Sequence, residues 1–433
     1  MGDRTIQFSA AAVVLASIVG AGALLPKIVE QSDRAQLRYT DASIEGAPPI
    51  VAVGAAIGAL RGLIVDYLWI RLQQMRELHL FYDAQRLADL ITKLQPRFAE
   101  VWAFHGHNLA YNLSVITSTP DERWRLVNAG IDLIRNKGLR YNPNDLVLYK
   151  ELAWFFAHKV DGVSDDAHLH YKRELAHEWQ LILGTPPYEQ ADRVKWMQEI
   201  ADAPSTYGEL AAKDPAVKAL VDKLTADLDV LDRRVRFKLD KEFLMNLGRW
   251  AAVRSSPYAQ MLHHHERLRE RDPVYLAMDN LLSDPANRPA LLKLVAFLRK
   301  KVLLDDYNMD PRIIAQYMKE YGPLDFRHAQ AHAFYWSRLG ATVGAARYQT
   351  DEDIYKIVND DRITLQAMHG LSQSGLMSVD VFSNDNPGRM YDPRWIKSID
   401  KYFRELYTKH YTTRGAGGDT FADAHQNFMS DAV

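Results

Sequence analysis

The sequence predicts an all-α protein built from helix pairs. Three observations carry this. Leu87, Leu90, Ile91 and Leu94 recur at i, i+3, i+4 and i+7, the spacing of one apolar stripe on a helix. Residues 77–180 hold no run of alternating apolar and polar residues of the kind that marks a strand. The amino terminus carries an uncharged apolar run, "IQFSAAAVVLASIVGAGALL", at residues 6–25.

That first run is long enough to cross a bilayer core of ~30 Å as a helix, and Pro26 ends it. It predicts a membrane anchor over residues 1–25. A cleaved signal peptide with Ala21-Gly22-Ala23 at the cut is the competing reading. Asp3 offsets Arg4, and Lys27 follows the run, so flanking charge sets the orientation weakly. A short tail ahead of a first apolar segment ordinarily stays inside, so the main domain is expected on the extracytoplasmic side of the membrane.

Residues 26–49 read as a polar linker. Residues 50–75 begin with 11 apolar or Gly residues before Arg61. This is short for a span and predicts a buried or membrane-surface helix, with a tilted second span as the alternative. Between 77 and 160 the expected helices are broken at Pro96, at the capping sequence "TPDE" of residues 119–122 and at "GLRYNPND". "DGVSDD", 161–166, is expected to be a helix-capping loop. Residues 185–310 form a middle region, turn-rich around Pro186, Pro187, Pro204 and Pro215. There, apolar residues from Val217 to Leu239 predict one long amphipathic helix over 216–247. Helices are further expected at 257–270, 273–283, 287–304, 311–321, 326–339, 351–370 and 393–410. The Gly- and polar-rich stretch 411–433 reads as a mobile tail.

Composition excludes several chemistries. The 433 residues include no Cys, which rules out thiol nucleophiles, Cys-type zinc sites and disulfides. A formal net charge of -2 gives no global field for nucleic acid. "GLSQSG", 370–375, is not a nucleophile elbow, no phosphate-cradling Gly-rich loop is present, and no cofactor is expected. The basic run at 231–241 alternates with acids and reads as a solvated face. His170, Glu174 and His177 lie at i, i+4 and i+7 and are the best metal-type set, the basis of an alternative reading as a metal-dependent hydrolase. His105 and His107 point about 200° apart on a helix and share no face. The three consecutive His residues 263–265 spread around a helix.

An internal repeat accounts for more of the chain. Twelve residues before Pro96 stands Ala84, and six after it stands Trp102, followed by Gly106 and Leu109. Six residues after Pro143 stands Tyr149, followed by Leu152, Ala153 and Phe156. Residues 322–340 echo the pattern more weakly. This resembles the tetratricopeptide pattern W-x2-L-G-x2-Y with later Ala and Pro. His105 stands where that pattern has Leu. The two prolines are 47 apart rather than ~34, which implies an insertion near "SVITSTPDERW". Asp66, Trp69, Arg71, Pro96 and Phe98 are similar to the opening of bacterial membrane-anchored tetratricopeptide-type proteins. The resemblance covers residues 60–180 and, loosely, 310–410. It implies a helical-repeat array over residues 50–184, a weaker echo over 311–410, and a non-catalytic scaffold that binds a protein or peptide partner. The candidate partner-binding residues are Trp102, His105, Asn108, Asn112, Tyr149, Trp154 and Trp336. A structural subunit of a membrane complex is a further alternative.

Overall fold

The computed structural model describes residues 13, 27, 59–231, 237–345, 351–414 and 419–431. The chain divides into two units, Met1–Arg61 and Gly62–Val433. The expected anchor at residues 6–25 lies outside the described residues apart from Val13, as does the linker apart from Lys27. Among the described residues no helix is long and apolar enough to cross a membrane.

The described chain is all-α save for one small strand pair. Helix α1 (Ala59–Glu77) leads into α2 (Phe81–Leu94) and α3 (Ala99–His107), which runs on through a π-helical turn at Asn108–Leu113. Helix α4 (Pro120–Asp132) continues through a π turn at Leu133–Gly138 into α5 (Leu139–Tyr141). Helix α6 (Leu146–Trp154) likewise continues through a π turn at Phe155–Val160, and α7 (His168–Ile182) follows. Each start has a local cause. Thr119 forms a capping box with Glu122, with Pro120 at the first helical position. Asp145 caps α6 through the amide of Val147.

The middle region holds α8 (Gln190–Asp202), α9 (Tyr207–Lys213), α10 (Pro215–Leu231) and α11 (Lys241–Ser255). The single helix expected over 216–247 is therefore two. Asp240 is extended and accepts from the amide of Phe243, which starts a new helix although the apolar spacing runs on. Then come α12 (Pro257–Met261), α13 (His264–Arg271), α14 (Pro273–Leu282), α15 (Arg288–Asp305) and α16 (Pro311–Glu320). Ser256, Asp272 and Asp310 cap α12, α14 and α16, each followed by Pro.

Helix α17 (Ala329–Ala345) is central. Every residue of 321–337 is buried, because α6, the π turn at Phe155–Val160 and α18 (Asp351–Ser374) pack around this segment. Several of its polar side chains are bonded internally. Arg327 donates to both carboxyl oxygens of Asp325, at 2.9 and 2.7 Å. Arg193 donates to the carbonyl of Pro323 at 2.7 Å, and His332 bonds the carbonyl of Phe326 at 2.8 Å. These contacts offset the cost of burying polar groups.

Strands β1 (Leu376–Ser378) and β2 (Gly388–Met390) pair antiparallel, with Leu376 opposite Met390. Helices α19 (Ile396–Arg414) and α20 (Asp419–Asp431) close the chain. Helix α20 corrects the expectation of a mobile tail over residues 411–433. Phe421 is buried, Phe428 packs 5.8 Å from Phe403, and His425 reaches Asp400 at 2.7 Å. The apolar residues of this segment fall on one helical face, which a tally of its Gly and polar content hides.

Candidate functional site: a cleft between α4, α7 and α11

Two prolines are bonded alike. Trp102 Nε1 donates to the carbonyl of Pro96 at 2.7 Å, and Tyr149 OH donates to the carbonyl of Pro143 at 2.8 Å. In both, an aromatic six residues after a proline reaches back and ties the new helix to the turn before it. Asn142 also donates to Pro96 O at 2.9 Å, and Tyr141 stacks on Trp102 at 5.9 Å. Ala84 and Ala153 are fully buried. Helices α3 and α4 also cross closely. A Cβ on Gly130 would sit 2.7 Å from the carbonyl oxygen of Gly106, so only glycine fits there.

The residues expected to line a partner groove do not form one. Trp102, His105, Asn108, Tyr149 and Trp336 are buried. The space over Tyr149 is filled by the chain's own α17, whose Trp336 ring lies 6.3 Å from it. Asn108 donates to Phe81 O at 3.0 Å and Gln85 Oε1 at 2.9 Å, and it accepts from the half-buried Asn112 at 3.0 Å. These two residues brace the π turn against α2. Half-buried Trp154 stacks on His158 at 4.6 Å, at the end of a ladder in which Tyr111 stacks on His107 at 4.4 Å. His105 and His107 part as their spacing predicts: His105 enters the core, while His107 bonds Glu151 at 2.6 Å near the surface.

The set His170, Glu174 and His177 does not converge either. His170 faces Asp121 at 3.2 Å and accepts from Arg173 at 3.0 Å, with Glu174 4.0 Å away. Among the described residues no group of three or more His, Asp or Glu is placed to hold a metal ion. Ser374, in the "GLSQSG" stretch, lies 2.9 Å from His328 Nε2. His328 Nδ1 accepts from the amide of Gln330, and burial holds the ring neutral with its pKa lowered to about 4. The proton then sits on Nε2 and points at Ser374, the reverse of what a serine nucleophile needs. In the loop 161–166, expected to cap a helix, Asp165 accepts from the amide of Ala167 at 2.9 Å and bonds buried Lys159 at 2.5 Å, but no side chain caps α7.

Glu174 and His177 instead line a cleft of about 350 Å³. Helix α7 turns Tyr171, Leu175, Trp179 and Ile182 into the core. Its next face presents Glu174, His177, Glu178 and Leu181 to the cleft. Helix α4 adds Trp124 and Asn128, and α11 adds Met245 and Arg249. The loop between the two strands adds Val381 and Phe382. No family model, curated protein or solved structure matches this chain.

The walls of the cleft are held from behind. Glu178 accepts from Lys241 Nζ and Tyr307 OH, both at 2.7 Å. Burial and the adjacent Glu178 push the Tyr307 phenol well up, so it remains a donor. Burial also lowers His177, with Glu174 opposing it. The loop is pinned at Asp380, which accepts from Ser256 Oγ at 2.8 and 2.7 Å and from the amide of Phe382 at 3.0 Å. Arg173 donates to Asn384 O at 3.1 Å. Trp124, Met245, Val381 and Phe382 all remain half-exposed. The result is a cleft of mixed lining, in which amide, imidazole, carboxyl and guanidinium groups stand beside the apolar side chains. Sequence reading found Glu174 and His177 but missed the rest. "NDNPG", 384–388, was the available signal for the turn that brings Phe382 over.

Proposed function

We propose that this protein is a membrane-tethered, non-catalytic helical scaffold, related in design to tetratricopeptide-type repeats, that captures a polypeptide partner at the cleft. The observation that carries this reading is the cleft itself. Large apolar side chains from α4, α11 and the strand loop stand half-exposed around about 350 Å³, in walls whose polar groups are braced by Glu178, Tyr307 and Asp380. One large apolar side chain of the partner enters between Trp124, Met245 and Phe382. Asn128, Glu174 and Arg249 bond the partner's main chain at the rim. Aromatic anchors in desolvated pockets dominate interfaces of this kind. The repeated Pro-to-aromatic hydrogen bond supports the kinship in design. The uncharged run at residues 6–25 supports the tether.

The test compares partner recovery from native membranes for the wild type and for Trp124→Ala and Phe382→Asp variants with matched melting temperatures. Loss of one and the same polypeptide in both variants supports the reading. Full recovery in both contradicts it.

A further inference from the structure

Helix α1 has two apolar faces. Val65 and Leu72 are buried, and the Trp69 ring packs 5.1 Å from Phe98 and 6.2 Å from Phe104. At 100° per residue these three side chains share one face. Leu63, Tyr67 and Ile70 lie about 180° round from it, and they are 66, 66 and 59% exposed. The apolar surface continues past the helix end through Leu78, Leu80 and Tyr82, all exposed. Asp66 and Gln73 border the stripe on one side and Arg71 on the other. A surface helix ordinarily has one apolar stripe, which faces the core. A second one, directly opposite the core, needs its own cover.

We propose that this second face rests on the surface of a phospholipid bilayer, with α1 lying along the interface. The inference rests on the membrane tether proposed above. Two features favour lipid as the occupant. The stripe begins where the apolar run of residues 50–60 ends, on a chain that opens with the uncharged run of 6–25. Tyr67 and Tyr82 are the amphipathic rings enriched at the headgroup level, and Arg71 borders the stripe with a long stem that reaches lipid phosphates. Asp66 and Arg71 keep the helix on the membrane rather than across it, in keeping with the absence of a spanning helix among the described residues.

The lack of cysteine makes the test direct. The full chain is prepared as single variants Leu63→Cys, Asp66→Cys, Tyr67→Cys, Ile70→Cys and Gln73→Cys. Each is spin-labelled and reconstituted into phosphatidylcholine–phosphatidylglycerol vesicles. Collision with oxygen, which partitions into lipid, is compared with collision with a water-soluble nickel chelate. The expected result is helical periodicity: several-fold excess oxygen access at 63, 67 and 70, and excess chelate access at 66 and 73. Chelate access at all five positions overturns the proposal. Low access to both reagents at 63, 67 and 70 overturns it too, since protein then covers the face. Flotation with the vesicles separates the two readings. A chain that floats with water-exposed labels keeps its tether and loses the α1 contact. A chain that does not float loses both.

Discussion

His105 occupies the position where the repeat pattern has Leu, and it behaves as a core residue. Its Nδ1 meets no hydrogen-bond partner, and burial lowers its pKa to about 4. In the unfolded chain the ring titrates near ~6.5. Between these values the unfolded state holds a proton that the folded state does not. The stability tied to this group is therefore complete above pH ~6.5 and is lost as pH falls toward about 4. His328 and His332, lowered by burial to about 4 and about 3, act with the same sign. His105→Leu removes one such group. The fall in unfolding free energy between pH 7 and pH 5 should shrink by about 2 kcal/mol in this variant, read from urea titrations at the two pH values. An unchanged pH slope would mean that His105 is solvated. The departure at 105 was visible in the sequence. That a histidine would be tolerated there as a neutral core group was not, because this depends on the helices packed around it.

At the scale of elements, helix starts were the most legible feature. Thr119-Pro120 satisfies its capping box locally, and local chemistry is what a sequence displays. The break at Asp240 was read through because the apolar spacing continues to Leu239, and spacing alone does not register a cap. The three π turns went unanticipated, since each lies inside a helix of unbroken apolar pattern. Crossings are sharper tests than caps. Gly130→Ala forces a Cβ against the Gly106 carbonyl, and Ala153→Leu fills a fully buried position. Each should lower stability by about 1–3 kcal/mol. Thr119→Ala removes only an exposed cap and should cost about 1 kcal/mol. Thermal or urea denaturation of the three variants checks the order. Equal stability of Ala153→Leu and the wild type would remove the repeat alignment between Ala84 and Ala153.

At the scale of the molecule, the all-α class was readable from periodicity, but the location of the site was not. Trp102, Tyr149 and Trp336 look like groove residues only while α17 is left out of account. That helix returns from almost two hundred residues downstream (Tyr149 to Trp336) to cover α6, a long-range contact that no local pattern encodes. Trp102→Ala should therefore cost about 3–5 kcal/mol of stability, whereas Trp124→Ala should affect partner binding far more than folding. Melting curves paired with partner recovery separate the two effects. A photo-cross-linking amino acid at position 382 of the full chain in native membranes reports whether a foreign polypeptide seats in the cleft. The account predicts one discrete adduct with a second polypeptide, lost when Trp124→Ala is added. Cross-links confined to the protein's own chain, or an adduct indifferent to Trp124→Ala, would contradict it.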